Sequence, residues 1–273
     1  MIRQASQPNV DVGDGHQLFL RDWGEGPPVL LLAGWAMDSR LWGDVMLGLN
    51  ARGLRAIAYD RRGHGRSTDP GVVNYHLLAD DLATVLAALD LHGVTIVAHS
   101  GAGGEALRYL ARHGDARVAR LVLVAASGPC MMASANNPDG IPVALLEAVE
   151  QQLATDLAGW VDTNAEPFAP GASRRVIDWL SAMVLDTSRR MIVDFQREIA
   201  TADLTADASS LTVPVTIIHG DRDASAPIDL TARRYAQIIP NAEFCLYEGV
   251  AHGVMVTHAD RLATDIAKRV LGR

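Results

Sequence analysis

Val94-Thr95-Ile96-Val97-Ala98-His99-Ser100-Gly101-Ala102-Gly103-Gly104-Glu105 is the stretch from which the rest of the chain can be read. Val94, Ile96 and Val97 have the composition of a short buried strand. Past the glycines, Glu105, Ala106, Leu107, Tyr109 and Leu110 begin a helical pattern. A serine stands at the corner, with Ala98 two residues before it and Ala102 two after. A chain that turns sharply from strand to helix crowds there, so the flanking residues must be small. The corner residue is held strained, with its hydroxyl exposed. This is the geometry of a nucleophile elbow, usually G-x-S-x-G, with both glycines replaced here by alanine. A chance serine in a strand–loop–helix turn would look the same locally, so the remainder of the chain has to decide.

Working outward, residues up to Trp23 read as a hairpin around Gly13-Asp14-Gly15, with 17–21 as its second strand. Residues 29–32 are continuously apolar, as in a strand covered on both faces. They lead into Ala33-Gly34-Trp35, and Asp38 can cap a helix holding Leu41 and Trp42. Residues 54–59 form the next strand, 76–91 an amphipathic helix and 118–126 another strand. From 127 to about 210 no strand intervenes. Three helical segments appear instead, at 143–157, 174–185 and 188–199. Alternation resumes with a strand at 213–218, a helix near 228–239, a strand at 243–247 and a last helix at 259–271. Alternating strands and helices specify an α/β fold: a mostly parallel eight-stranded sheet flanked by helices. The division expected is a core of residues 1–127 and 211–273, with 128–210 as a helical cap inserted over the sheet.

Composition sets outer limits. The chain has 273 residues, 49% hydrophobic and 21% charged, as expected of an ordinary globular protein. A net charge of −8 argues against nucleic acid or an anionic membrane as partner. Two cysteines, Cys130 and Cys245, make no disulfide framework. The first ten residues lack the apolar core of a signal peptide, and the expected location is the cytoplasm. No metal or cofactor is called for. Oligomeric state is left open, a homo-oligomer included.

Two polar groups follow the resumed strands: Gly220-Asp221-Arg222-Asp223 and Gly249-Val250-Ala251-His252-Gly253. In open α/β sheets the site lies in the crevice at the carboxyl ends of the strands. Ser100, Asp223 and His252 each follow their own strand, in the order of an α/β-hydrolase triad. His252 would take the Ser100 proton during attack on a carbonyl, and Asp223 would hold the imidazole tautomer. The backbone N–H groups of Trp35 and Gly101 would form the oxyanion hole. Asp221 competes with Asp223 for the acid role.

The chain resembles the α/β-hydrolase superfamily and, within it, the cofactor-free haloperoxidases and aryl esterases. The resemblance covers nearly the whole length. It rests on D-R-R-G-H-G-R-S at 60–67, R-Y-L-A-R-H-G-D-A-R-V-A at 108–119, I-H-G-D-R-D at 218–223 and A-H-G-V-M-V-T-H-A at 251–259. It implies an ester hydrolase, some members of the family also making peracids, and its G-x-x-D spacing favours Asp223 as the acid. Two departures stand out. The family usually has His-Gly before the oxyanion residue, where this chain has Ala33-Gly34, and Met after the nucleophile, where it has Gly101. Both are expected to leave room beside Ser100. The family also favours perhydrolysis when proline follows the oxyanion residue; here that residue is Ala36, so Ala36→Pro is expected to shift the balance toward peracid.

The substrate expected is a small ester or lactone. Its pocket is assigned to Gly34, His99, Met131, Trp160, Trp179, Met183 and Val250, beside the Trp35 ring; Met132, Phe168, Met191 and Phe195 are further cap residues that could face it. At helical spacing such residues are more often core than contact. His99 is read as shaping the elbow, His258 as a cap or surface residue, and Arg61, Arg62 and His64 as holding their loop. Two other functions remain in view. A-G-W-A-M-D-S at 33–39 faintly resembles the oxyanion loop of cofactor-independent dioxygenases, but the acid that family places after the strand before the cap is absent from Ala125-Ala126-Ser127. A ligand receptor could also use this fold.

Overall fold

A computed structural model of the chain describes residues 8–135 and 137–272. The readings that fall on residues 1–7, the leader and the start of the hairpin, lie outside the described residues.

Eight strands form one sheet: β1 (Asn9–Asp11), β2 (Gln17–Trp23), β3 (Pro28–Leu32), β4 (Arg55–Tyr59), β5 (Val94–His99), β6 (Val118–Val124), β7 (Val215–Gly220) and β8 (Glu243–Tyr247). Their spatial order is β1-β2-β4-β3-β5-β6-β7-β8. β1 and β2 are antiparallel, and every pairing from β4 to β8 is parallel. The helices are α1 (Gly43–Asn50), α2 (Tyr75–Ala88), α3 (Ala102–His113), α4 (Val143–Thr155), α5 (Leu157–Phe168), α6 (Arg174–Asp186), α7 (Arg189–Thr201), α8 (Thr205–Ser209), α9 (Ala232–Ile238), α10 (Val254–Thr257) and α11 (Ala259–Leu271).

Side-chain alternation along the strands builds a core on each face. On β5, Ile96 and Ala98 pack with Leu82 and Val85 of α2 and Leu107 of α3. Val97 points the other way, with Val45 and Leu49 of α1 and Leu262 and Ile266 of α11. Every residue of β5 is buried, which is why this strand reads as an apolar run without polar alternation.

The caps follow the sequence. Asp38 accepts a hydrogen bond from Arg40 N at 2.8 Å and starts the single turn Ser39–Trp42 before α1. Asn74 accepts from Leu77 N at 2.9 Å and starts α2. Three helices were expected between β6 and β7, and the described residues there form five, α4 to α8. α5 escapes the periodicity because Gly159 and Pro167 lie within it; Asp156 starts it by accepting from Gly159 N at 3.0 Å. α9 is shorter than expected: residues 228–231 form turns, with the buried Thr231 hydroxyl donating to the Ala226 and Pro227 carbonyls. No described helix is long and apolar enough to cross a membrane.

Candidate active site

Ser100 follows the last residue of β5 with φ at +53°, in the left-handed region that costs a residue with a Cβ. The crowding that the elbow demands is met residue by residue. A Cβ on Gly104 would stand 2.2 Å from the ring of Tyr75, and one on Gly103 would stand 3.1 Å from the Cβ of Ala126. Tyr75 then donates its hydroxyl to the Gly101 carbonyl at 2.8 Å, tying α2 to the corner.

His252 arrives on the loop after β8. The loops after β7 and β8 are in direct contact: a Cβ on Gly220 would stand 2.0 Å from the Val250 carbonyl oxygen. Arg222 N donates to that same carbonyl at 3.0 Å. Asp221 accepts from Gly249 N at 2.6 Å and so anchors the histidine loop. Asp223 instead reaches inward. Its Oδ2 lies 2.7 Å from His252 Nδ1, and its Oδ1 accepts from Ala226 N at 2.7 Å. On the other side His252 Nε2 lies 3.0 Å from Ser100 Oγ. Burial alone would raise the Asp223 carboxyl. The charge of His252 and hydrogen bonds from His219 and His252 outweigh it, holding the group well below the usual carboxylate range. The structure therefore brings Ser100, His252 and Asp223 into one hydrogen-bonded chain and leaves Asp221 outside it.

Gly34 is packed against the serine, since a Cβ there would stand 2.9 Å from Ser100 Cβ and 2.7 Å from His99 Nδ1. Gly34-Trp35-Ala36-Met37 is a turn, with Met37 N donating to Gly34 O at 3.4 Å and Ala36 at φ +54°. Among the described residues no acceptor takes the backbone N–H of Trp35 or of Gly101. The Trp35 indole N–H donates to Ile192 O on α7 at 2.8 Å.

Residues 27–259 match the sequence profile of the alpha/beta hydrolase fold family. The chain belongs to the α/β-hydrolase family. A non-heme chloroperoxidase of Kitasatospora aureofaciens is 39% identical to this α/β hydrolase over 265 residues, 93% of this chain and 95% of that one. A bifunctional esterase/perhydrolase of Acinetobacter calcoaceticus is 32% identical over 273 residues, 94% of this chain and 97% of that one. Among solved structures, a bromoperoxidase from Bacillus anthracis superposes with a TM-score of 0.92 at 28% identity, covering 97% of this chain and 99% of that one. The haloperoxidase and esterase branch named from the motifs is the one these relatives occupy.

A cavity of about 340 Å³ opens over Ser100 in the hydrolase, beneath α4 to α7. Of the expected pocket residues, His99, Met131 and Trp160 line it, as do Trp35 and Phe168. Gly34, Trp179, Met183 and Val250 do not. Gly34 is covered by Ser100 and His99, and Trp179 lies on the outside of α6 with 36% of its surface exposed. Met183 is buried, its sulfur accepting from Asp38 N at 3.4 Å. Val250 is buried at the junction of the β7 and β8 loops. Met191 and Phe195 of α7 pack in the core, Met191 against Gly63. The room expected from Gly101 is filled, since a Cβ there would stand 2.4 Å from Ile199 Cδ1. The sequence signals for helix α7 gave no register, so Ile199 behind the elbow was not foreseen.

His99 is buried with both ring nitrogens unpartnered among the described residues, its ring 4.7 Å from that of His252. Burial, reinforced by the charge of His252, keeps it neutral, its pKa well below the usual histidine value. It is a wall of the site. His258 packs near Tyr247 between α10 and α11 and makes no cap hydrogen bond through its side chain. Arg62 pairs with Asp81 and so ties its loop to α2, and His64 Nδ1 donates to Arg62 O at 2.9 Å within the loop. His219 was missed: its Nε2 lies 3.2 Å from Asp223 Oδ2 and 2.8 Å from Ala226 O. Its only sequence signal is a histidine four residues before the acid, at the end of a buried strand.

Proposed function

We propose that the protein hydrolyses carboxylic esters or lactones by way of an acyl-enzyme on Ser100. The observation that carries the reading is the unbroken chain Ser100 Oγ–His252 Nε2 at 3.0 Å and His252 Nδ1–Asp223 Oδ2 at 2.7 Å. His252 removes the Ser100 proton as Oγ attacks the carbonyl carbon, and Asp223 stabilises the resulting imidazolium. The oxyanion is received by the N–H groups of Trp35 and Gly101, which are free to donate. The intermediate collapses, His252 returns the proton to the departing alkoxide, and the alcohol leaves. Water, with His252 again as base, releases the acid. None of these steps needs a cofactor.

Substrate class follows from the cavity. Leu145, Leu146, Val149, Val161, Leu180 and Ile199 dominate its walls, and among the described residues no carboxylate, lysine or arginine lines it. The ester is therefore small, neutral and largely apolar, with Asn164 and Gln196 among the few polar side chains of the wall. Residues 128–210 act as the cap. Its two ends are clasped together, with Leu204 N donating to Pro129 O at 2.6 Å and Cys130 bridging Asp203. Both cysteines are free, in keeping with a cytoplasmic location.

The relatives named haloperoxidase and perhydrolase favour a second activity at the same serine. Hydrogen peroxide in place of water would attack the acyl-enzyme, giving peracid and free Ser100. The test of the main reading is burst kinetics with an aryl acetate, together with labelling by a serine-directed phosphonate. One equivalent of product in the burst and a label on Ser100 alone are expected. Ester hydrolysis at near wild-type rate in Ser100→Ala would overturn it, and a wild type that binds esters without acylation would point to a receptor.

A further inference from the structure

We infer that Arg61 positions the oxyanion donor, by fixing the direction in which the Trp35 N–H points. The inference rests on the hydrolase reading above. Arg61 lies on the loop after β4, and its guanidinium spans two successive peptide groups of the loop after β3. Nη2 donates to Ala33 O at 2.8 Å and Nη1 to Gly34 O at 3.3 Å. Met37 N also donates to Gly34 O, at 3.4 Å. The carbonyl of Gly34 and the N–H of Trp35 belong to one trans peptide unit, so they point in opposite directions. Holding the oxygen toward Arg61 turns the N–H away from it. Gly34 itself is pressed against Ser100 and His99, so this peptide unit is next to the nucleophile. A flip would present a carbonyl oxygen where the site needs a donor.

The guanidinium is in turn over-determined. Nε and Nη2 both donate to Glu105 Oε2, at 2.9 and 2.7 Å, and Tyr59 donates its hydroxyl to Glu105 Oε1. Phe195 of the cap covers the guanidinium, the ring centroid 4.7 Å away. Arg61 is 3% exposed and Glu105 0%, so water has no access to replace either. Only a planar fork can meet two carbonyls and a carboxylate together; a lysine ammonium reaches fewer of them. The sequence reading has Arg61 holding its own loop, whereas its carbonyl contacts lie in the loop that carries the oxyanion donor.

Removing Arg61 alone would strand the Glu105 carboxylate in the core, so the test pairs Arg61→Met with Glu105→Gln and sets Arg61→Lys beside it. Steady-state hydrolysis of an aryl acetate is measured per active site, with sites counted by phosphonate titration. Affinity for an alkyl boronic acid, whose tetrahedral adduct carries an oxyanion-like oxygen, is measured on the same samples. The double variant is expected to lose about thirtyfold in kcat, part of the hundredfold or more that a lost oxyanion donor costs. KM is expected to stay within about threefold, with boronate affinity falling in step with kcat. Arg61→Lys should fall between the double variant and wild type. A structural role alone would lower the titratable fraction and leave kcat per site intact, and that result overturns the inference. So does wild-type kcat in Arg61→Lys, the deciding measurement if the double variant does not fold. A wild type that fails to acylate Ser100 overturns the function itself, a result seen before any Arg61 variant is made.

Discussion

Replacing Asp223 with asparagine removes a charge and almost no volume, and the surrounding hydrogen bonds decide how the new amide sits. Oδ1 must stay an acceptor, because Ala226 N donates to it at 2.7 Å. The amide NH₂ therefore takes the place of Oδ2, 2.7 Å from His252 Nδ1 and 3.2 Å from His219 Nε2. A donor now faces Nδ1, so His252 carries its proton on Nε2, toward Ser100, and cannot accept another. The reaction runs from the wrong tautomer, and kcat should fall by about 10⁴, or about 5.4 kcal/mol in barrier. Asp221→Asn is the contrast. Among the described residues its side chain accepts one hydrogen bond, from Gly249 N, and an asparagine carbonyl accepts that bond equally. Asp221→Asn should stay within about threefold of wild type and lose about 0.5–1 kcal/mol of stability. The assay is stopped-flow hydrolysis of an aryl acetate per titrated site, with urea unfolding on the same samples. Equal losses in the two variants, or the larger loss at Asp221, would refute the tautomer argument.

Gly101→Met, the residue common in the family, collides with Ile199 Cδ1 here and should cost about 1–3 kcal/mol. Ile199→Ala should relieve that clash, so strictly additive losses in the double variant would contradict the packing. Ala36→Pro cannot act as its family counterpart does. Ala36 sits at φ +54° and proline requires about −65°, so the variant should lose hydrolysis and peracid formation together and melt earlier. An unchanged Tm with a raised peracid ratio would disprove this. Ala36→Gly should instead stabilise by about 1 kcal/mol, read from its urea midpoint. His64 is pushed down to about 3 by burial and the nearby Arg61. The folded protein thus binds fewer protons than the unfolded chain from there up to the unfolded histidine value, and stability rises with pH across that window. Against pH 7.5, the His64 share of stability lost at pH 4.5 should be about 3 kcal/mol. Urea midpoints at the two pH values in wild type and His64→Asn check this, and an equal pH dependence in both would exclude it.

The elbow, the strand order in sequence and the three hydrogen-bonded residues were legible because each rests on a local rule. Small residues flank Ser100 where α2 and α3 crowd it, and buried parallel strands announce themselves as apolar runs. The sequence could also nominate Asp223, but only the Gly220–Val250 contact explains why it reaches His252 while Asp221 does not. The pocket was half legible. Met131, Trp160 and His99 line the cavity, whereas Gly34, Trp179, Met183 and Val250 do not. Apolar periodicity says that a cap helix has a buried face and does not say whether that face meets another helix or the substrate. α5 was hidden by Gly159 and Pro167. The space beside Gly101 could not be read at all, because Ile199, nearly a hundred positions away, fills it.

Helix α7 reaches the site in several ways at once. Ile199 backs the elbow, Ile192 O holds the Trp35 indole, Phe195 covers Arg61, and Gln196 and Ala200 form part of the cavity wall. α4 contributes Leu145, Leu146 and Val149 to the cavity, and Leu145 is 57% exposed. Two routes to a new substrate therefore differ in how many properties they disturb. A substitution on α7 alters the fit of the substrate and the alignment of the reacting groups in one step, so gains in range come tied to losses in rate. A substitution at Leu145 or Leu146 reshapes the wall that α4 contributes. Variation that broadens substrate range while sparing turnover should accumulate on α4, and α7 should be the helix on which the enzyme resists change.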